Sequence, residues 1–348
     1  MNYTGRYPSS RPRRLRQSDW VRRLTREHRL SVDDLIWAMV VHDGATDEIP
    51  VTAMPGVVRF SVNAAAKAAK SAQKLGIPAI AVFPHIDTAK KDASGKEALN
   101  KNGLVCTAVR AMKDAAPEVG IMVDVALDPF TDHGHDGLLK DGRILNDDTV
   151  KVLTEQALIQ VKAGADIVAP SDMMDGRVGA IRAALDAAGH HDTLIMSYAA
   201  KYASAFYGPY REAIGSGKLG SGAVANPGDK RTYQMDFANT DEALREVAMD
   251  VAEGADMLLV KPGMPYLDIV ARVKQEFGLP TYAFQVSGEY AMIKAASANG
   301  WIDEDRAVIE SLTAFKRAGA DGIVTYFAPK AVELLGWGVQ PGQGEESF

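Results

Sequence analysis

The chain has 348 residues, with 39 Lys+Arg against 45 Asp+Glu and a formal net charge of −6. Its 47% apolar and 24% charged residues describe an ordinary globular protein rather than a disordered or fibrous one, and no apolar run approaches the ~18 residues that span a bilayer. The charge is uneven: nine Arg and two acids put +7 on residues 1–30, which leaves −13 on the rest.

Residues 1–30 contain no apolar stretch that could serve as the core of a signal peptide. Their Arg content resembles a transit peptide, yet Trp20, Leu24, His28 and Leu30 are spaced as docking positions, so the segment reads as an arm of the folded protein. Basic arms of this kind can bind nucleic acid. Here the body is acidic, the arm has no Lys and no recognition motif follows, so neither nucleic acid nor a membrane is an expected partner. One cysteine, Cys106, excludes a disulfide framework and a thiolate cluster, and a reducing, cytoplasmic setting is expected.

Short apolar runs rich in β-branched residues recur at 36–41, 79–83, 121–127, 165–169, 193–198, 255–260, 281–286 and 320–326. Each reads as a strand buried on both faces, the signature of a parallel sheet. Helical patterns lie between them. In 147–163 the stripe is Val150, Leu153, Ala157, Leu158 and Val161, with Asn146 expected as N-cap; in 240–253 it is Leu244, Val247, Ala248 and Val251; in 303–318 it is Val308, Ile309, Leu312 and Phe315. Gly-Ala-Asp stands before three of the strands, at 164–166, 254–256 and 319–321, where Gly closes a helix and a strand is expected at once. Eight β-then-α units predict a (β/α)8 barrel over 31–335. A doubly wound open sheet would need a Gly-rich phosphate loop after an early strand, and none is present.

From Ser197 to Ala255 the pattern breaks. The stretch 208–235 is rich in Gly, Ser and Pro and leaves the C-terminal end of a predicted strand, where barrel active sites are built. A lid over 203–235 is expected. Residues 336–348 read as a polar tail.

Two lysines sit at the ends of predicted strands, Lys201 after TLIMSYAA and Lys261 after ADMLLV. Desolvation and a neighbouring cation both depress a lysine pKa, and a neutral amine attacks a carbonyl to form a Schiff base. The lid adds Arg211, Lys218, Lys230 and Arg231, suited to clamping a carboxylate. The segment 124–137 crowds Asp124, Asp128, Asp132, His133, His135 and Asp136 beyond another strand, which favours catalysis or a hard cation such as Mg²⁺ or a monovalent ion.

In RPRRLR (11–16), DVALDPFTDHGHDG (124–137), APSDMMDGRV (169–178), SYAAKYASAFYGPYREA (197–213), TYQM (232–235), GADMLLVKPGMPYLDIV (254–270) and FQVSGEYAM (284–292), the chain resembles the porphobilinogen synthase (5-aminolevulinate dehydratase) family. The resemblance implies condensation of two 5-aminolevulinates into porphobilinogen with loss of two waters, in a homo-octamer whose arm wraps a neighbouring subunit. It implies Schiff bases on Lys201 and Lys261, with Asp124 moving protons. Arg211, Lys230 and Gln234 would hold the carboxylate of the substrate on Lys201, and Ser287 and Tyr326 that of the substrate on Lys261. Zinc-dependent members carry three cysteines where this chain has Ala126, Asp128 and Asp136, so zinc is not expected. Asp128 and Asp136 remain candidate ligands for an active-site cation. Glu246 falls at the family's position for an allosteric, largely hydrated Mg²⁺, with Asp172 nearby. A class I aldolase-like lyase on the same fold would need one Schiff-base lysine, so the pair counts against it.

Overall fold

The computed structural model describes residues 5–215 and 230–336. The strands are β1 (Leu35–His42), β2 (Glu48–Pro50), β3 (Val58–Ser61), β4 (Ala79–His85), β5 (Gly120–Val125), β6 (Leu138–Lys140), β7 (Arg143–Leu145), β8 (Ile167–Pro170), β9 (Leu194–Lys201), β10 (Met257–Lys261), β11 (Thr281–Gln285) and β12 (Gly322–Thr325). The helices are α1 (Asp19–Leu24), α2 (Val62–Leu75), α3 (Leu104–Ala115), α4 (Asn146–Lys162), α5 (Arg177–Ala187), α6 (Gly208–Ala213), α7 (Asp241–Ala252), α8 (Leu267–Phe277), α9 (Ser287–Ala298), α10 (Glu304–Arg317) and α11 (Ala328–Leu334).

Eight strands close in parallel in the order β1-β4-β5-β8-β9-β10-β11-β12, and β12 pairs back to β1 through Leu35↔Ile323 and Trp37↔Thr325. This is the expected (β/α)8 barrel. The strands read as unbroken apolar runs because side chains on one face fill the barrel interior while those on the other meet the helical ring. The hairpin β2–β3 is an addition that pairs alongside the C-terminal half of β1.

The Gly-Ala-Asp repeats do more than end helices. Each glycine has positive φ (110°, 101° and 101° for Gly164, Gly254 and Gly319), a region open to glycine at little cost. The strand ladders then begin at Ile167, Met257 and Gly322, later than the sequence suggests, because each aspartate turns its side chain onto the neighbouring strand. Asp166 Oδ2 accepts the Ile121 N–H at 2.8 Å, Asp256 Oδ2 the Ile195 N–H at 2.7 Å, and Asp321 Oδ2 the Thr281 N–H at 2.7 Å. Each aspartate N–H donates back to the same residue's carbonyl. Three strand pairs are thus pinned in register at the barrel's N-terminal end.

The helices differ from expectation in detail. Asn146 is the first residue of α4 rather than its cap; its side chain accepts the Asp175 N–H at 2.7 Å and donates to the Asp175 carbonyl at 3.1 Å, tying α4 to the β8–α5 loop. Three polar residues, Thr149, Gln156 and Gln160, join the buried face of α4. Gln156 donates to the Ala126 carbonyl and Gln160 to the Asp124 carbonyl, which fixes the end of β5 from behind. In α7, Ala248 faces solvent and Asp250 takes a buried place. In α10, Val308, Leu312 and Phe315 are buried as expected.

The arm docks Leu30 against its own barrel but leaves its other apolar docking candidates outside. Trp20 and Leu24 stay 64% and 73% exposed, and they line a groove of about 800 Å³ with Ile309 and Thr313 of α10. No described helix is long and apolar enough to cross a membrane.

The aspartate pins predict a separable stability effect. Asp256→Ala should lower unfolding free energy by about 1–2 kcal/mol by orphaning the Ile195 N–H, with turnover unchanged. Thermal unfolding and initial rates on the same preparation check both halves.

Candidate active site

Lys201 and Lys261 are the last residues of β9 and β10, one position further into the strands than their sequence context suggests, and they stand directly opposite each other in register. Both are buried, at 5% and 6% exposure. Their environments differ sharply.

Lys261 lies in a wall of rings. Its Nζ is 4.7 Å from the Phe284 ring centre, 5.1 Å from Tyr210, 5.2 Å from Tyr198 and 5.3 Å from Tyr207. It makes no ion pair among the described residues. Desolvation, aided by the charge of Lys201, pulls its pKa down to about 7.

Lys201 faces the carboxylates. Its Nζ donates to Asp136 Oδ1 at 3.0 Å and to the Ser171 carbonyl. Lys230, from the lid, reaches Asp136 Oδ2 at 2.6 Å and Asp128 Oδ2 at 3.3 Å. Desolvation alone would raise Asp136, but Lys201 and Lys230 hold it well below the usual carboxylate range. The Tyr233 hydroxyl donates to Asp136 Oδ2 at 2.9 Å and lies 3.0 Å from His135 Nδ1. Asp124 is different again. Burial, reinforced by Asp128, lifts it to about 6, and its Oδ1 has no hydrogen-bond partner. A carboxyl poised near neutrality between two lysines can take and return a proton.

The lid begins as α6, not as an unstructured loop. Lys201, Lys261, Asp128, Tyr207, Tyr210, Arg211, Lys230 and Gln234 line one narrow chamber. Arg59 of β3 donates to the carbonyls of Ala213 and Glu212, both at 2.7 Å, and so braces the end of α6 that follows Arg211. Lys218 and the rest of 216–229 lie outside the described residues, while Arg231 is exposed.

Ser287 and Tyr326 lie at the Lys261 side, linked through Phe284. The Tyr326 ring packs 6.1 Å from that of Phe284, and its hydroxyl is buried and unpartnered. The Ser287 hydroxyl accepts the Tyr210 N–H at 2.9 Å. It donates its own hydrogen to the Phe206 carbonyl at 3.4 Å, a long bond. The sequence reading missed Tyr198, Tyr207 and Tyr210 as the walls of the lysine pocket. The signal was in the blocks SYAAKY and FYGPY, since aromatic residues around a strand-end lysine supply the desolvation that lowers it.

Two metal positions can be weighed. Between Asp128 and Asp136 an ammonium group already stands, so this geometry does not fit a second cation. Among the described residues, no three carboxylate, imidazole or thiolate side chains converge as direct metal ligands. Cys106 is buried in α3. Glu246 is half-buried on α7 and lines a hollow of about 320 Å³ with Asn146, Asp175 and Glu242. Burial raises its pKa against the pull of Arg177. One ligand carboxylate beside a roomy polar hollow fits an ion that keeps most of its water. Asp172 is fully buried and 3.7 Å from the Arg177 guanidinium, with one oxygen unpartnered. Arg177 in turn forks onto Asp250, which also accepts the Ser197 hydroxyl of β9 at 2.5 Å.

Fold and site together define a (β/α)8-barrel enzyme built for lysine Schiff-base chemistry with two amines at one mouth. The model of the delta-aminolevulinic acid dehydratase family matches residues 9–334. A delta-aminolevulinic acid dehydratase of Bradyrhizobium diazoefficiens is 63% identical over 93% of this chain and 90% of its own, and one of Rhodobacter capsulatus is 54% identical over 95% and 98%. A solved Toxoplasma gondii delta-aminolevulinic acid dehydratase (porphobilinogen synthase), in complex with the reaction product porphobilinogen, superposes with a TM-score of 0.91 at 44% identity, covering 97% of this chain and 96% of that one. The chain belongs to the delta-aminolevulinic acid dehydratase family.

The unequal lysines carry a pH prediction. The neutral amine attacks, so trapping of a carbonyl compound at Lys261 by borohydride should rise as pH passes about 7. Lys201→Met removes a neighbouring positive charge and frees Asp136, and both changes raise the Lys261 pKa. The rising limb for Lys261 should therefore move to higher pH, read as adduct yield at that lysine by mass spectrometry.

Proposed function

We infer that this chain is a porphobilinogen-forming lyase: it condenses two 5-aminolevulinates with release of two waters, using Lys261 and Lys201 as separate covalent anchors. The observation that carries this reading is the pair of buried lysines at neighbouring strand ends, with the family match beside it.

Lys261 is the readier nucleophile, because its pKa of about 7 leaves a large share of its amine neutral at pH 7 and it has no ion pair to shed among the described residues. Its nitrogen adds to the keto carbon of one substrate, and loss of water leaves an imine. Tyr326 would hold that substrate's carboxylate with its unpartnered hydroxyl, and Ser287 by exchanging its long bond to the Phe206 carbonyl for one to the carboxylate. Lys201 must first release Asp136 and the Ser171 carbonyl, and Lys230, already bonded to Asp136, stays as that carboxylate's counter-ion when Lys201 leaves it. Arg211, Lys230 and Gln234 would hold the carboxylate of the second substrate. A protonated imine acidifies the adjacent carbon. Asp124, near its midpoint at about 6, is placed to accept that proton and pass it on. Carbon–carbon and carbon–nitrogen bonds must join two identical molecules in one orientation, and two covalent tethers supply it.

Two further readings go with it. Glu246 would hold a largely hydrated Mg²⁺, with Asp172 and Arg177 behind it, and the ion's positive charge would lie on the side of α7 that backs β9. The arm of residues 1–30 would contact a neighbouring copy in a homo-oligomer, taken as an octamer, with its +7 against an acidic body. Its exposed Trp20 and Leu24 support this. A cytoplasmic location accords with the absence of a membrane-crossing helix among the described residues.

Incubation with 5-aminolevulinate and borohydride should give mass adducts at Lys261 and Lys201; protein that stays unmodified at Lys261 would contradict the mechanism. Light scattering should show a smaller assembly when residues 1–30 are removed. Added Mg²⁺ should favour the larger assembly in the parent chain and not in Glu246→Ala. A mass indifferent to all three changes would sink the arm and metal readings.

A further inference from the structure

Six acids are buried among the described residues: Asp124, Asp128, Asp136, Asp172, Asp250 and Glu289. Five of them face a cation. Asp124 lies in the field of Lys201 and Lys261, Asp128 and Asp136 bond Lys230, and Asp172 and Asp250 flank Arg177. Glu289 has no such partner among the described residues. Its exposure is 0%, and burial pushes its carboxyl up to about 8 against the pull of three backbone N–H groups. A buried carboxylate held by backbone alone is costly to keep, so what it holds matters.

The three N–H groups come from two separate segments. Oε1 accepts from Gly263 at 3.1 Å and Met264 at 2.9 Å, the turn that leaves β10 directly after Lys261 and Pro262. Oε2 accepts from Val286 at 2.9 Å, at the junction where β11 ends and α9 begins with Ser287. Neither segment has slack. A Cβ on Gly263 would stand 2.5 Å from the Phe315 ring and 2.8 Å from the Phe284 carbonyl, and one on Gly288 would stand 2.5 Å from the Phe206 carbonyl. The Ser287 hydroxyl is in turn bonded to the Tyr210 N–H of α6. One side chain therefore joins the backbone that carries Lys261 to the backbone that carries Ser287 and abuts the lid helix.

We propose that Glu289 is a positioning residue for the Lys261 half of the site, a clamp that fixes the Lys261 amine against the carboxylate end of its substrate at Ser287. It touches no substrate and acts through main chain. Both oxygens accept hydrogen bonds from main chain here. A glutamine offers one acceptor oxygen, so it serves one segment and turns its NH₂ toward the N–H of the other. A plain helix-capping role would require only the Val286 bond; the bonds to Gly263 and Met264 lie outside that role.

The proposal rests on the two-lysine reading above, and the test separates the two. Wild type, Glu289→Gln, Glu289→Asp and Val286→Pro are each trapped with 5-aminolevulinate and borohydride, and the adducts are quantified lysine by lysine. Val286 has φ −76°, which proline adopts, so that variant deletes one N–H and leaves the carboxylate in place. Leu153→Ala, a cavity in the outer helix α4, serves as the control for lost stability alone. The clamp predicts that the Lys261 adduct falls about tenfold or more relative to the Lys201 adduct in the Glu289 variants, and KM for 5-aminolevulinate rises with it. Val286→Pro should shift the ratio in the same direction by less, and it decides the matter if the Glu289 variants do not fold. Leu153→Ala should lower Tm at an unchanged ratio. An unchanged ratio in every folded variant at Glu289 and Val286 would overturn the clamp and leave Glu289 a helix cap. Wild type without a Lys261 adduct would overturn the two-lysine reading instead.

Discussion

Lys261 places an amine where burial removes its water and offers only aromatic faces in return. Ring quadrupoles attract a cation but do not replace full hydration, so the charged form loses more than the neutral one and the pKa falls to about 7. Much of the local construction serves this constraint. Tyr198 comes from the strand of the other lysine, Tyr207 and Tyr210 from the start of the lid, and Phe284 from β11, so three segments must close for one pKa to fall. Removing either tyrosine ring of the lid would let water back and raise the pKa.

The carboxylates could have spoiled this arrangement, because an acid in contact with Lys261 would restore its charge. They are kept on the other side. Asp136 is committed to Lys201 and Lys230, Asp128 to Lys230, and Gln160 of α4 holds the Asp124 carbonyl, while the Asp124 side chain lies in the field of both lysines without pairing to either. Two lysines, equal by sequence position, meet unequal surroundings, because one faces rings and the other faces acids.

Much of the barrel was legible in the sequence because parallel strands buried on both faces leave apolar runs that need no context to be read. The two lysines were legible for the same reason, each marking the point where such a run stops. Other features were hidden. The aspartate of Gly-Ala-Asp looks like the first residue of a strand, and only the neighbouring strand's N–H shows that it is a clamp. Gln156 and Gln160 look like the polar face of α4, since a buried amide bonded to a carbonyl has the same letter as a solvated one. Trp20 and Leu24 read as docking positions in the sequence, and in the single chain both stay exposed. Glu289 follows no motif, because its partners are main-chain atoms from segments brought together by closure of the barrel.

Charge at the chamber closes the argument. Three acids, Asp124, Asp128 and Asp136, face Lys201, Lys230 and Arg211, while Lys261 contributes little charge once it is neutral. The chamber is thus near balance before substrate enters, and 5-aminolevulinate, with one carboxylate and one ammonium group, enters without upsetting it. A chamber with a large net charge of either sign would hold one end of the substrate tightly and repel the other, and two molecules could not then share it. The acidic surface outside and the +7 arm take no part in this balance, since across a low-dielectric wall it is the nearest partners that set a group's charge.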